Sequence, residues 1–193
     1  MKKIPTLFVR RFENHKVAEI TPEVTKGFEW VLEGEGIATV KFDGACCAII
    51  NGELYKRYDA KKGKKVPAGA IPCQEAPDKI TGHFPHWVKC DRDKADDIWF
   101  WAAFDNMLDE KTDGTYEAVG KHFQGNPYKM AYDTLLKHGT VVIEDLKRSF
   151  DGIKHYLEDN NIEGIVFWKD GEPKCKIKRS DFGLPWGIKN ENK

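Results

Sequence analysis

The sequence has no run of about 18 apolar residues, the length a membrane-crossing helix needs, so no membrane association is expected. Its start, Met1-Lys2-Lys3-Ile4-Pro5, is basic but leads into no apolar segment, which argues against a secretory signal. Cysteine is sparse: five residues, an odd number without framework spacing, which excludes a disulfide scaffold and suits free thiols in a reducing cytoplasm. Net charge is missing too. With 31 basic and 31 acidic residues, the chain cannot hold nucleic acid by bulk positive charge. Internal repeats, low-complexity tracts and interdomain linkers are also lacking, and 193 residues of ordinary globular composition are expected to form a single domain, 1–193.

What is present begins with local charge. Lys56, Arg57, Lys61, Lys62, Lys64 and Lys65 cluster, as do Lys174, Lys176, Lys178 and Arg179, and such patches contact phosphates without a basic overall charge. Between Pro67 and Pro85 lies a long Pro- and Gly-rich loop. Cys73, His83, His86 and Cys90 fall in or beside it. They lack a Cys-x-x-Cys pair and finger-like spacing, and are read as loop and packing residues rather than zinc ligands.

Local patterns give the elements. Phe8–Phe12 reads as an edge strand. Thr21-Pro22-Glu23 has the capping hydroxyl, first-turn proline and acid of a helix start, with Val24, Phe28, Val31 and Leu32 on one face and Gly34 and Gly36 at its end. The apolar run Ile37–Val40 leads into Lys41. A further run, Ala48–Ile50, reaches Asn51-Gly52, and Glu53–Tyr58 returns as a hairpin strand, with Lys41 on or beside the first strand. Asp97–Phe104 is strongly β-prone and is expected to pair with Thr115–Val119 as a second hairpin carrying Glu117. Signals from Pro127 to Lys137 conflict. Ser149 is placed to cap a short helix through Phe150, Ile153, Tyr156 and Leu157. Ile162–Trp168 is an apolar strand carrying Glu163. After Asp170-Gly171 the chain returns through Lys174–Lys178, where alternation sets three lysines on one face and Cys175 and Ile177 on the other. Three lysines on one strand face repel one another unless they meet an anion, so a triphosphate pocket is expected, with a solvent-facing edge strand guarded by lysines as the alternative.

Read in order, Lys41-Phe42-Asp43-Gly44, Tyr116-Glu117-Ala118-Val119-Gly120, Glu163-Gly164-Ile165-Val166-Phe167 and Lys176-Ile177-Lys178 resemble motifs I, III, IV and V of the covalent nucleotidyltransferases, which include the ATP-dependent DNA and RNA ligases and the messenger-RNA capping enzymes. DNA ligases and capping enzymes usually carry arginine two residues after the first motif, where Cys46 stands here, and only about 15 residues follow Lys178, too few for the OB-fold domain those enzymes add. The stretches around Lys41–Cys47, Gln124–Pro127, Glu163–Trp168 and Lys176–Trp186 resemble the small stand-alone 5′-to-3′ RNA ligases. The resemblance implies an α+β nucleotidyltransferase (ligase adenylation) domain of antiparallel sheets flanked by short helices, with no OB domain. It implies ATP and Mg²⁺ (or Mn²⁺) as cofactors and RNA with 5′-phosphate and 3′-hydroxyl ends as partner. A GTP-dependent capping-type enzyme, a DNA nick ligase and an inactive binding module stay open beside it.

The implied reaction gives each residue a task. Lys41 attacks the α-phosphate to form lysyl-AMP. AMP then passes to an RNA 5′-phosphate, and a 3′-hydroxyl displaces it. A lysine of pKa near 10.4 is mostly neutral at pH 7.4 only after a drop of roughly 3, about 4 kcal/mol. Desolvation, Lys176, Lys178 and a bound metal are the expected causes. The match assigns Glu163 to metal, ribose and phosphate oxygens, Glu117 to a ribose hydroxyl, and Arg57 to ribose or the recipient 5′-phosphate. Asp43 and Gly44 shape the turn after Lys41. Phe100, Trp101 and Phe167 are candidates to stack on adenine, and backbone groups at Thr39 and Val40 to read its edge. Because Cys46 and Cys47 lie near Lys41 in sequence, bulky thiol modification is expected to lower activity.

Overall fold

The computed structural model describes residues 2–13, 16–61, 63–79 and 81–187. In chain order its strands are β1 (Phe8–Glu13), β2 (Lys16–Val24), β3 (Ile37–Lys41), β4 (Ala45–Ile50), β5 (Glu53–Ala60), β6 (Ile71–Pro72), β7 (Phe84–Lys89), β8 (Gly114–Val119), β9 (Thr134–Lys137), β10 (Gly164–Lys169) and β11 (Glu172–Lys178); its α-helices are α1 (Ile98–Asp105) and α2 (Phe150–Asp159). This is an α+β chain whose sheets are antiparallel and whose helices are few and short. It divides into two compact units, one built on Asp43–His138, the other on Ile4–Phe42 and the segment from Gly139 onward.

The Asp43–His138 unit is a six-stranded sheet in the order β6-β7-β5-β4-β8-β9. Asn51 and Gly52 join β4 to β5 with positive φ at both positions (51° and 76°), the geometry a type I′ hairpin demands. The Asp113 carboxylate accepts both turn N–H groups, at 2.8 and 3.1 Å. The expected partner of β8 is not formed: Asp97–Phe104 is not a strand, and β8 pairs with β4 and β9 instead. The run is helical because Phe100, Ala103, Phe104 and Met107 recur at i, i+3, i+4 and i+7, which puts them all on the core with Cys47, Leu54 and Tyr116. Packing of that face overrides the β-propensity of Trp and Phe.

In the other unit β1 and β2 form a ribbon, and β11-β10-β3 form a three-stranded sheet. Here Thr21–Leu32 is not a helix. Thr21 lies in β2 and spends its hydroxyl on the Val9 carbonyl (3.2 Å). Pro22 falls in the irregular stretch between the pairs Phe8↔Val24 and Arg10↔Ile20, where a missing N–H costs no ladder bond. Gly27, at φ 93°, breaks the apolar face, and only one 3₁₀ turn, Glu29–Val31, remains of it. Helix α2 forms as expected: Ser149 Oγ accepts the Gly152 N–H at 3.1 Å, and Ile153 and Leu157 are fully buried. They pack with Leu7, Phe8, Ile165, Phe167 and Ile177 as the core beneath the three-stranded sheet.

Candidate functional site

In the three-stranded sheet Gly164 lies opposite Lys41 of β3 on one side and Lys178 of β11 on the other. Two residues along, Val166 lies between Thr39 and Lys176. Because side chains alternate, Lys41, Lys176 and Lys178 share one face, and Ala38, Ile165, Phe167, Cys175 and Ile177 fill the core on the other. Gly164 is a steric requirement: a Cβ there would stand 2.3 Å from the Ile177 carbonyl oxygen. Without a side chain between the two lysines, the carboxylate of Glu163 reaches both. It forms an ion pair with Lys41 Nζ and lies 4.0 Å from Lys178 Nζ. Glu163 is 12% exposed and Lys41 23%.

The lysine whose ammonium this environment destabilises is Lys176. Burial first, then the charges of Lys41, Lys178 and Arg10, lower its pKa to about 8, against the pull of Glu163. Among the described residues no carboxylate lies within ion-pair distance of its Nζ. Arg10, on β1, donates to Asp181 Oδ1 at 2.5 Å, and Asp181 Oδ2 accepts the Lys178 N–H at 2.8 Å.

Three residues expected to touch the nucleotide are placed as follows. Phe167 is fully buried in the core and offers no face to a base. The Val40 N–H is spent on the Val141 carbonyl (2.9 Å). Thr39 is 1% exposed; its hydroxyl donates to Val166 O (3.3 Å) and accepts the indole N–H of Trp168 (2.9 Å). β3 pairs with β10 along one edge and meets Val142 in an isolated bridge at Thr39 on the other.

In the six-stranded sheet the Asp43-Gly44 turn is clasped by side chains of the β8–β9 region. The Asp43 N–H donates to the Tyr128 hydroxyl (2.7 Å), the Gly44 N–H to Glu117 Oε1 (3.1 Å), and Gln124 Nε2 to the Gly44 carbonyl (3.2 Å). Gly44 too is sterically required, since a Cβ would lie 2.1 Å from the Ala118 carbonyl oxygen. Glu117 Oε2 meets His138 Nε2 at 2.9 Å, and His138 Nδ1 meets Thr115 Oγ1 at 3.0 Å. Sequence reasoning missed His138; only its position after a strand whose partner was not foreseen would have signalled it.

Register sets Cys46 opposite Glu117, and Arg57 opposite Trp87. Asp59 lies 3.9 Å from Arg57 Nη2, and the buried Nε of Arg57 has no hydrogen-bond partner among the described residues. Burial, then Glu117, pushes the Cys46 thiol up to about 12, and burial, then Cys46, raises that of Cys47 as well. Both shifts lower the thiolate fraction and so slow thiol modification. Of the residues weighed as zinc ligands, Cys90 is in the core, His86 Nδ1 meets the Phe84 carbonyl (2.8 Å) and His83 Nδ1 meets Asp59 (3.3 Å). Phe100 meets Phe123 edge-on, and Trp101 lies under the Arg92 guanidinium at 4.0 Å, so both candidate stacking rings are engaged.

No protein-family model matches the chain. It is similar to RNA ligase 1 of Rattus norvegicus, 24% identical over an alignment 229 positions long, gaps included, that covers 79% of this chain and 69% of that protein. The RNA ligase 1 proteins of Mus musculus and Pongo abelii are each 24% identical over 79% of this chain, covering 68% and 69% of their own lengths.

Proposed function

We propose that this protein is an ATP-dependent RNA ligase that joins 5′-phosphate and 3′-hydroxyl ends through a lysyl-AMP intermediate on Lys41. The observation that carries the reading is the cationic face on which Lys41 contacts the Glu163 carboxylate, with Lys178 and Lys176 on the next strand but one. The similarity to RNA ligase 1 supports the same class of reaction.

Glu163 is the acceptor at hand for the proton Lys41 must lose before it attacks. The nitrogen lone pair then forms a bond to the α-phosphorus, the bond to the bridging oxygen breaks, and pyrophosphate leaves with the electron pair. Lys176 and Lys178 offset the charge that builds on the phosphate oxygens. In the next step an RNA 5′-phosphate oxygen attacks the same phosphorus and the P–N bond breaks. In the last, the RNA 3′-hydroxyl attacks the 5′-phosphorus, AMP leaves, and the strand is sealed. In this reading Glu117 accepts from a ribose hydroxyl with the lone pairs left by Gly44 and His138, and Arg57 binds ribose or the incoming 5′-phosphate. A divalent ion such as Mg²⁺ takes most of its oxygens from phosphate and water and needs only one or two carboxylates, so Glu163 fits as its protein ligand and the ion would neutralise phosphate charge.

The test is incubation with ATP labelled on its α-phosphate, in the presence of Mg²⁺, followed by denaturation. Acid-labile label on the wild type, lost in Lys41→Ala, is expected, with joining of 5′-phosphorylated RNA after it. Label from GTP alone would move the chain to capping chemistry, and sealing confined to nicked DNA would make it a DNA ligase. Folded protein that takes no label from either nucleotide would end the reading.

A further inference from the structure

The residues left over from the site just described are Arg10 and Asp181. The amino-terminal segment enters beside β11: Lys176 N–H donates to the Pro5 carbonyl (3.0 Å), Leu7 N–H donates to the Lys176 carbonyl (2.8 Å), and Thr6 bridges Lys176 in parallel. Running parallel to β11, the chain then carries Arg10 forward to the 3₁₀ turn Arg179–Phe182, where Asp181 receives it. Asp181 is 8% exposed and holds the β11 backbone at Lys178 with its second oxygen. Arg10 is thereby fixed beside the cationic face by a carboxylate that occupies only one edge of its guanidinium.

Charge does not balance there. Lys41, Lys176, Lys178 and Arg10 face two carboxylates, Glu163 and Asp181. Glu163 is engaged with Lys41, and Asp181 with Arg10. Lys176 has no ion-pair partner among the described residues, and Arg10 Nε is buried with no hydrogen-bond partner. A half-buried ammonium without counter-charge is costly, and a polyanion that meets Lys176 and the open edge of the Arg10 guanidinium would offset that cost. A guanidinium fork suits phosphate oxygens, and an adjacent ammonium adds a point charge.

We infer that Arg10 and Lys176 form a seat for the β- and γ-phosphates of the nucleotide, and so for the pyrophosphate that departs when Lys41 is adenylylated. This rests on the lysyl-AMP reading and extends it to Arg10, a residue outside the resembled motifs. The seat holds the leaving group as the bridging P–O bond breaks. In the reverse direction it presents a pyrophosphate oxygen to the phosphorus of lysyl-AMP, so that the P–N bond breaks, ATP forms and the amine recovers its proton from solvent.

The test has two readouts. Calorimetric titration of the full chain with inorganic pyrophosphate, with sulfate at equal ionic strength as the comparison, measures the seat without any reaction. Wild type is expected to bind pyrophosphate in preference to sulfate, Arg10→Gln about tenfold or more weakly, and Arg10→Lys in between. Asp181→Asn separates binding from support of the fold. It leaves Arg10 cationic and less neutralised, so pyrophosphate binding is expected to hold or tighten; a loss matching that of Arg10→Gln would mean that the ion pair only supports the fold, and would overturn the proposal. Pyrophosphate-driven release of AMP from labelled protein is the second readout, and its half-saturating concentration should rise by the same factor in Arg10→Gln. Equal pyrophosphate affinity in wild type and Arg10→Gln, or none in wild type, overturns the seat even if labelling succeeds. Pyrophosphate binding lost in Arg10→Gln, with no label taken from ATP, keeps the seat and rejects the ligase reading.

Discussion

Two glycines in the motifs do steric work that the alphabet of the motif does not explain. Gly44 lies under the Ala118 carbonyl and Gly164 under that of Ile177, with room for a hydrogen and not for a methyl group. In each case the obstacle is backbone in a paired strand, which yields little. Gly44→Ala and Gly164→Ala are each expected to lower stability by about 1–3 kcal/mol, the cost of overpacking. Gly52→Ala has open space around it and pays only for its positive φ, about 1–2 kcal/mol. Urea midpoints of the three variants would check this, and wild-type midpoints for Gly44→Ala and Gly164→Ala would refute it. At this scale the sequence was readable where residue order and alternation carry the information. Lys41, Glu163, Lys176 and Lys178 fall together because β3, β10 and β11 are adjacent and the parity of the strand is plain in Lys174–Lys178. The same parity excludes Phe167, which sits opposite Cys175 on the core face. His138 and Arg10 were out of reach, since each meets its partner across more than 20 residues of sequence with no periodic pattern to announce it.

Elements that were foreseen correctly are those in which local chemistry and tertiary packing agree. The Asn51-Gly52 hairpin, the Asp170-Gly171 turn and helix α2 are of this kind. Those misjudged had strong local signals that lost to packing. Thr21-Pro22-Glu23 carries every mark of a helix start, yet the hydroxyl that would cap a helix bonds Val9 across the ribbon. Around α1, β-prone aromatics hid a helical spacing that was visible at Phe100, Ala103, Phe104 and Met107. For α2 the cap is a separate, removable contribution. Ser149→Ala deletes the acceptor for Gly152 N–H and should cost about 0.5–2 kcal/mol, with Ser149→Asp restoring most of it. Chemical denaturation followed by circular dichroism would measure the loss, and equal stability of Ser149→Ala and wild type would show that the first turn is held by packing alone.

Over the whole molecule, positive and negative residues are equal in number, which limits how RNA can be held. A neutral chain gains nothing from bulk attraction, so under the proposed function its contacts with phosphates must come from clusters, and each contact releases counterions on binding. The described lysines of the 61–65 cluster, Lys61, Lys64 and Lys65, are exposed, and Lys64 and Lys65 form no ion pair among the described residues. Replacing Lys64 and Lys65 with Gln therefore leaves folding within about 0.5 kcal/mol of wild type. If each meets one phosphate of single-stranded RNA, the slope of log affinity against log salt falls in magnitude by about 1.4, that is about 0.7 per contact. Fluorescence anisotropy with a labelled 5′-phosphorylated RNA between 50 and 200 mM salt, roughly the range over which such contacts weaken binding by orders of magnitude, resolves a change of that size. An unchanged slope would take this lysine cluster out of RNA binding and leave the work to the cations of β11 and Arg57. A slope reduced by about half as much would assign one of the two lysines, and the single variants would say which.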